Sequence, residues 1–327
     1  MSCFYNNNIH KYSTFVKTKI RKKMLFKKTP PSDRLKNYIE CYWIAQEDGS
    51  KMIREINPSS NICVQFHIDH DANYKLITKD FSEGKKQTVD LLMKEIGVNP
   101  TTARNVIIGP HRTMMIETSE NTINTFCIKF KTGIRKRFFG KEIISLTDNI
   151  IQLDNTNTLL SGLANIVSQC NTDEIFDIVD KFLTEKYWPI ISRKAENDSL
   201  LDVINETTLN PLCANVESMA AQMNMSKRNF ERLFKQFIGL TPKQFIVIQR
   251  INKVIECMKG HKDNTLTEIL EMSGYYDQTH INHEFNTIGG LPATQVLNNF
   301  RKQLVDSPDT LCLNFEIDGV CGFNTLT

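Results

Sequence analysis

Between residues 216 and 242 the apolar positions fall into two short stripes separated by a polar break. Val216, Met219, Ala220 and Met223 recur at i, i+3, i+4 and i+7, the spacing of a helix with one face turned to a core. The stripe stops at Asn224-Met225, where Ser226 offers an N-cap oxygen, and a second begins with Phe230, Leu233, Phe234 and Phe237. Lys227, Arg228, Arg232 and Lys235 fall between those apolar residues, on the other face of the second helix. Gly239 suits a helix C-terminus, and Pro242 the first turn of a new helix. The segment predicts a helix-turn-helix whose second helix presents cations outward, the arrangement that enters a DNA major groove.

The pattern returns about fifty residues downstream, and such repetition points to a built architecture. Leu266, Ile269 and Leu270 make the first stripe of the second copy, Gly274 sits where a tight turn needs positive φ, and Asp277 can cap the next helix. Ile281 and Phe285 match Phe230 and Phe234 at the same four-residue interval. Between the copies, residues 242–259 predict a long amphipathic helix carrying Phe245, Ile248, Ile251, Ile255 and Met258. Two helix-turn-helix motifs joined by one long helix make an all-α unit.

Charge divides this unit. The whole chain has a net charge of only +3, which says little about partners. Residues 215–259 carry eight Lys/Arg against three acids, a net of +5, whereas residues 260–300 carry one lysine against five acids, a net of −4. Neutralising phosphates supplies much of a protein's DNA affinity, so the first motif is expected to dominate binding and the second to modulate it.

Residues Met225–Pro242, MS-x-R-x-F-x-R-L-F-K-x-x-x-G-x-TP, and Gly274–Phe285, G-Y-x-D-Q-T-H-I-x-x-x-F, resemble the AraC/XylS-type transcription regulators. The resemblance covers roughly residues 196–300 and matches the spacing in both halves. It implies a bacterial regulator that binds double-stranded DNA, places two recognition helices in successive major-groove faces, and contacts RNA polymerase if it activates. By position, it implies base-facing roles for Arg228, Glu231 and Arg232 in the first helix, and for Gln278, Thr279, Asn282 and His283 in the second. With Ser226, Lys227 and Lys235 these complete the candidate DNA-binding set. The second copy departs from the pattern: Pro292 comes one place early, Tyr275 replaces the usual Phe, and Leu270 the usual Ala.

A chain of 327 residues has room for a second core. Residues 61–68, 105–108 and 124–131 are β-branched or aromatic runs bounded by turn residues, and residues 88–96 read as a short inserted helix. Two helices follow at 157–169 and 172–188, the second with an apolar face of Ile175, Ile178, Val179, Phe182 and Leu183. The expected fold is therefore α+β: a strand-rich mixed N-terminal domain, then the all-α domain with its two helix-turn-helix motifs. Expected boundaries are a basic tail at 1–28, a sensing or dimerisation domain at 29–190, the DNA-binding domain at 196–300 and a C-terminal tail at 301–327.

Strands followed by two helices resemble the sensing portion of many AraC-like regulators. Residues 35–39 with Tyr42-Trp43, Ile108-Gly109-Pro110-His111, 130–133, Phe138 and 146–148 resemble the N-terminal domain of one subgroup, with Thr132 standing where a proline is common. This implies a small-molecule effector, a homodimer, or both. Trp43, Phe66, His67, Phe126 and Phe130 could line a barrel interior, or be simple core. The stripe of the second helix could pack on its own sheet or on a second copy.

Other chemistry is excluded by pattern. Nine scattered cysteines without a C-x-x-C pair or a secretory segment argue against a disulfide framework and fit the cytoplasm. Cys63, His67 and His70 do not converge on one strand face, and His280 with His283 lacks a third ligand, so no metal is expected. No phosphate loop, nucleophile elbow, metalloprotease or dinucleotide motif is present, so neither enzyme nor cofactor is expected, and no run is long enough to span a membrane. The expected function is an effector-controlled, sequence-specific DNA-binding regulator. The alternatives are a DNA-binding protein whose N-terminal domain only dimerises, and an interaction module that has lost DNA reading.

Overall fold

The computed structural model describes residues 25–47, 52–68, 74–78, 105–113, 115–119, 123–133, 139, 146–153, 158–191, 198–261, 263–275, 277–289 and 292–298. The inserted helix expected at 88–96, most of the basic tail and residues 301–327 lie outside these. The fold is α+β: an antiparallel N-terminal sheet domain followed by a helical C-terminal domain.

Nine strands are described: β1 (Leu25–Thr29), β2 (Ile39–Glu47), β3 (Met52–Ile56), β4 (Ile62–His67), β5 (Tyr74–Thr78), β6 (Asn105–Ile108), β7 (Met115–Ser119), β8 (Ile123–Phe130) and β9 (Ile150–Gln152). Six of them form one sheet in the order β1-β2-β8-β4-β6-β9, and three form a second in the order β3-β7-β5. β1 begins inside the stretch expected to be a basic tail, and its Lys27 reaches Asp173 at 2.6 Å.

Helices α1 (Thr158–Gln169) and α2 (Ile175–Lys186) cover one face of the larger sheet, followed by the single turn α3 (Trp188–Ile191). Tyr42, Ile44, Val64, Phe66, Phe126, Ile128 and Phe130 point from the sheet into the helices, where they meet Leu163, Ile175, Val179 and Leu183. The rings of Phe126 and Phe176 lie 5.8 Å apart. Ile178 departs from the expected apolar face of α2: it is 37% exposed while Ile175, Val179 and Leu183 are buried. A 100° turn per residue carries Ile178 to the edge of the stripe.

The alternation of strand side chains also separates the five residues grouped as one possible interior. Cross-strand partners share a face, and Trp43 pairs with Cys127, which pairs with Gln65, while His67 pairs with Thr125. Trp43 and His67 therefore lie on the face away from α1 and α2. Phe66, Phe126 and Phe130 lie on the helix side. That second face is buried too, with Cys41, Trp43, Cys127, Gln65, Thr125, His67 and Lys129 all below the surface.

The C-terminal domain comprises α4 (Asp198–Leu209), α5 (Val216–Gln222), α6 (Lys227–Ile238), α7 (Pro242–Gly260), α8 (Leu266–Ser273) and α9 (Gln278–Gly289), with residues 293–298 also helical. Helix α7 is its axle. Phe245, Ile246, Ile248, Ile251, Val254, Ile255 and Met258 are all buried, so it packs on more than one side. A capping box between Thr241 and Gln244, with Pro242 in the first turn, starts α7, and a second between Thr265 and Glu268 starts α8. No helix among the described residues is long and apolar enough to cross a membrane.

Gly109 is required by close approach, since a Cβ there would lie 1.7 Å from the Leu146 carbonyl oxygen. Gly109→Ala should destabilise by about 1–3 kcal/mol, the usual range for overpacking, and lower the calorimetric melting temperature. Gly260→Ala is the control: nothing lies near its Cβ, and the change should hold or raise that temperature.

Candidate nucleic-acid interface

The first helix-turn-helix is built from local caps. Asn215 caps α5 by accepting from the Ser218 N–H at 2.8 Å. The chain then turns through Asn224 at φ 52°, a left-handed conformation that Asn tolerates better than most residues. The Met225 N–H closes the turn on the Ala220 carbonyl at 2.9 Å. Ser226 caps α6 by accepting from the Asn229 N–H, and Gly239 ends that helix at φ 90°. On the inner side Phe230, Phe234 and Ile238 are buried, and the Phe234 ring lies 5.5 Å from both Phe230 and Phe245.

Burying that side forces the opposite one outward. Ser226, Lys227, Arg228, Glu231, Arg232 and Lys235 are all exposed. Arg228, Glu231, Arg232 and Lys235 follow i, i+3, i+4 and i+7, one stripe along the outer face. Among the described residues no carboxylate lies within ion-pair reach of Arg228, Arg232 or Lys235. Lys227 differs: its Nζ is 2.6 Å from Glu217 Oε1 on α5. The hydrogen bond holds the Glu217 carboxyl below its usual range and the Lys227 ammonium above its own. Both groups are exposed, so the strap contributes little to stability.

The second motif repeats the turn with other residues. Gly274 takes the left-handed position at φ 81°, and the Tyr275 N–H closes on the Leu270 carbonyl at 2.7 Å. Asp277 caps α9, as its sequence position suggested, accepting from the backbone N–H groups of Thr279 at 2.8 Å and His280 at 3.1 Å. Gln278, Thr279 and His283 are exposed, whereas Asn282 is half-buried and its Oδ1 is withdrawn from solvent without a donor among the described residues. Helix α9 carries no lysine or arginine.

A buried polar cluster behind α9 escaped the sequence reading. Glu284 lies inside, where it accepts from Tyr275 Oη at 2.6 Å and sits 3.2 Å from His280 Nε2 and 3.7 Å from an Arg250 guanidinium nitrogen. Arg250, on α7, also donates to the carbonyls of Pro211 and Ala214 at 3.0 and 3.2 Å. Burial, then Glu284, pushes the Tyr275 phenol well above its usual range, so it stays a donor. One signal was present: Glu284 lies beside Phe285 and three residues after Ile281, on the buried stripe, where a carboxylate needs a partner. Arg250 and Glu284 thus cancel inside the fold, leaving net charges of +4 on 215–259 and −3 on 260–300. The contrast between the motifs is reduced but keeps its sign.

Burial pushes the pKa of the Cys170 and Cys257 thiols up. On the N-terminal domain an open groove of about 660 Å³ runs between residues 29–34 and α2, with Tyr42 and Asp180 in its wall and Arg34 and Lys181 beside them.

Residues 219–299 match the family model described as a helix-turn-helix domain, and residues 27–152 match one described as a domain of unknown function, DUF6597. The chain is 34% identical over 74 residues to the HTH-type transcriptional activator RhaS of Salmonella arizonae, and equally so to that of Salmonella newport. The C-terminal domain is an AraC-type helix-turn-helix domain. These matches span 21% of this chain and 26% of each relative, so the chain spans about a quarter of the length of the curated relatives it matches. Among solved structures, apo ToxT from Vibrio cholerae strain SCE256 is similar at 13% identity and a TM-score of 0.42, covering 79% of this chain and 97% of that one. ToxT from Vibrio cholerae O395 is similar at 10% identity and 0.40, covering 84% and 97%.

In this AraC-type domain the pairing of Arg250 with Glu284 ties α9 to the axle. Arg250→Met should destabilise by about 3 kcal/mol, the lower end for removing one partner of a buried pair, because Tyr275 and His280 still hold the carboxylate. Urea denaturation reads this. The double variant Arg250→Met/Glu284→Gln should lose less than the single one.

Proposed function

We propose that this protein is a DNA-binding transcription regulator in which the first helix-turn-helix supplies most of the affinity and base reading. The observation that carries the reading is the outward stripe of Arg228, Glu231, Arg232 and Lys235 on a helix whose other side is locked into the core of an AraC-type domain. Arginine donors in a major groove read guanine edges, and lysines neutralise phosphates. Ser226 and Lys227 stand at the helix N-terminus, where backbone N–H groups favour a phosphate. Gln278, Thr279 and His283 offer a weaker second contact through hydrogen bonds, without the fixed charge that draws a helix to DNA. Asn282 contributes there only if its half-buried amide turns outward.

The N-terminal domain is proposed to sense a small-molecule effector. Its supporting feature is the polar, buried sheet face. Gln65, only 2% exposed, has a side-chain carbonyl without a donor among the described residues. An unsatisfied buried acceptor costs about 1–3 kcal/mol, which a ligand donor would recover. Homodimerisation through the partly exposed edge of α2 at Ile178 belongs to the same reading. The matched relatives are named transcriptional activators, which favours activation and hence contact with RNA polymerase.

Selection from a random duplex pool with the full-length protein, at two salt concentrations, tests the proposal. One asymmetric motif should emerge, strong in one groove segment and weak about one helical turn away. Arg232→Ala should cost about 1–3 kcal/mol of binding and relax base preference, with His283→Ala costing visibly less. Equal losses would remove the dominance of the first motif. Binding that ignores salt would remove DNA reading itself.

A further inference from the structure

The two domains meet where the foot of the larger sheet abuts α7. At that point β2 carries a bulge, because Ile39 and Cys41 face the adjacent residues Phe130 and Lys129 of β8. The extra residue is Glu40, released from the ladder and free to re-aim its side chain. Its Oε1 lies 3.1 Å from the Nζ of Lys129, which is buried on the sheet face away from α1 and α2. Its Oε2 accepts a short hydrogen bond from Asn61 Nδ2. Asn61 Oδ1 accepts from the Thr132 hydroxyl at 2.7 Å. Thr132 has thereby used its proton, so in its 2.7 Å contact with Ser60 the serine donates. Ser60 in turn accepts from the side-chain amide of Gln249 at 3.0 Å, and Gln249 is buried midway along α7.

Every hydrogen bond in this chain points the same way, from α7 toward the Glu40 carboxylate. Aligned donors polarise one another, and breaking one link strands its neighbours inside the protein. The residues span the sheet foot and the axle of the DNA-binding domain, separated by 189 positions between Ser60 and Gln249. Thr132, which stands where the resembling domains commonly have proline, is a middle link that a proline could not make.

We infer that this hydrogen-bond chain is a regulatory joint: an event on the sheet face away from α1 and α2 that moves the Lys129–Glu40 pair releases Gln249 and with it α7. Its output rests on the DNA-binding reading above; its existence does not. The N-terminal domain also meets the end of α6 and α4: the Thr147 hydroxyl donates to the carbonyl of Gly239, which follows α6, at 3.1 Å, and a Cβ added at Gly133 would lie 2.6 Å from Leu201 on α4. The signal carried by the chain therefore reaches both motifs through the axle, apart from these contacts.

The test is amide hydrogen exchange over residues 242–260 in the full-length protein, with Thr132→Val, Gln249→Met and their double variant. Each single change should raise exchange in α7 about five- to tenfold, as the loss of a hydrogen bond implies, and the double should exceed neither, because all three cut one chain. Thr147→Val, at the same interface but outside the chain, should add independently to Gln249→Met. Thr132→Val with wild-type exchange in α7, or additivity between Thr132→Val and Gln249→Met, overturns the joint. Ser60→Ala serves in place of Thr132→Val if that variant does not fold. DNA affinity of the same proteins gives the second arm: both single variants should shift it by a common factor, and unequal shifts overturn the joint. A wild-type protein that selects no duplex removes the DNA reading while the exchange arm still decides the joint.

Discussion

A helix that is apolar on more than one side is stable only if it is enclosed, and α7 is such a helix. With Phe245, Ile246, Ile248, Ile251, Val254, Ile255 and Met258 all buried, α7 requires neighbours on several sides. The two helix-turn-helix motifs supply them through Phe230, Phe234 and Ile238 on one side and Ile269, Ile281 and Phe285 on the other. Each motif buries its inner stripe against the axle, and that burial fixes which residues remain outside. The outward stripe of α6 is thus a consequence of core packing. At roughly 1.5–3 kcal/mol per large side chain, this burial far outweighs the exposed Lys227–Glu217 strap.

Much of this domain was legible because its signals are local. A stripe at helical spacing, Gly274 where the chain must turn left-handed, and Ser226 or Asp277 before a recognition helix are short-range features read without a fold. What the sequence hid is long-range. Glu284 counted as a surface acid and Arg250 as a surface base, because nothing within a few residues of either announces its partner across two helices. The half-buried state of Asn282 has the same origin: a family position says which turn of a helix a residue occupies, not how far its neighbours crowd it.

The N-terminal domain was harder to read for a related reason. The central strands of its larger sheet are buried on both faces, so alternation between apolar and polar residues is blurred, as in the run from Ile62 to His67. Without alternation, five aromatic and polar residues were grouped as one interior when the pleat sends them to opposite sides. Cross-strand register, which depends on turns and bulges far apart in sequence, was needed to separate Trp43 and His67 from Phe66, Phe126 and Phe130.

The placing of Arg250 and Glu284 inside the domain bears on how ionic strength acts on the molecule. Mobile ions screen exposed charges within a Debye length, about 8 Å at physiological salt, and reach enclosed ones far less. Arg228, Arg232 and Lys235 face solvent, while the pair that fixes α9 to the axle does not. Added electrolyte should then weaken what the outer face can attract and leave the angle between the two motifs unchanged. The geometry of recognition and its strength would be set by separate physical variables, one by packing and the other by the composition of the surrounding water.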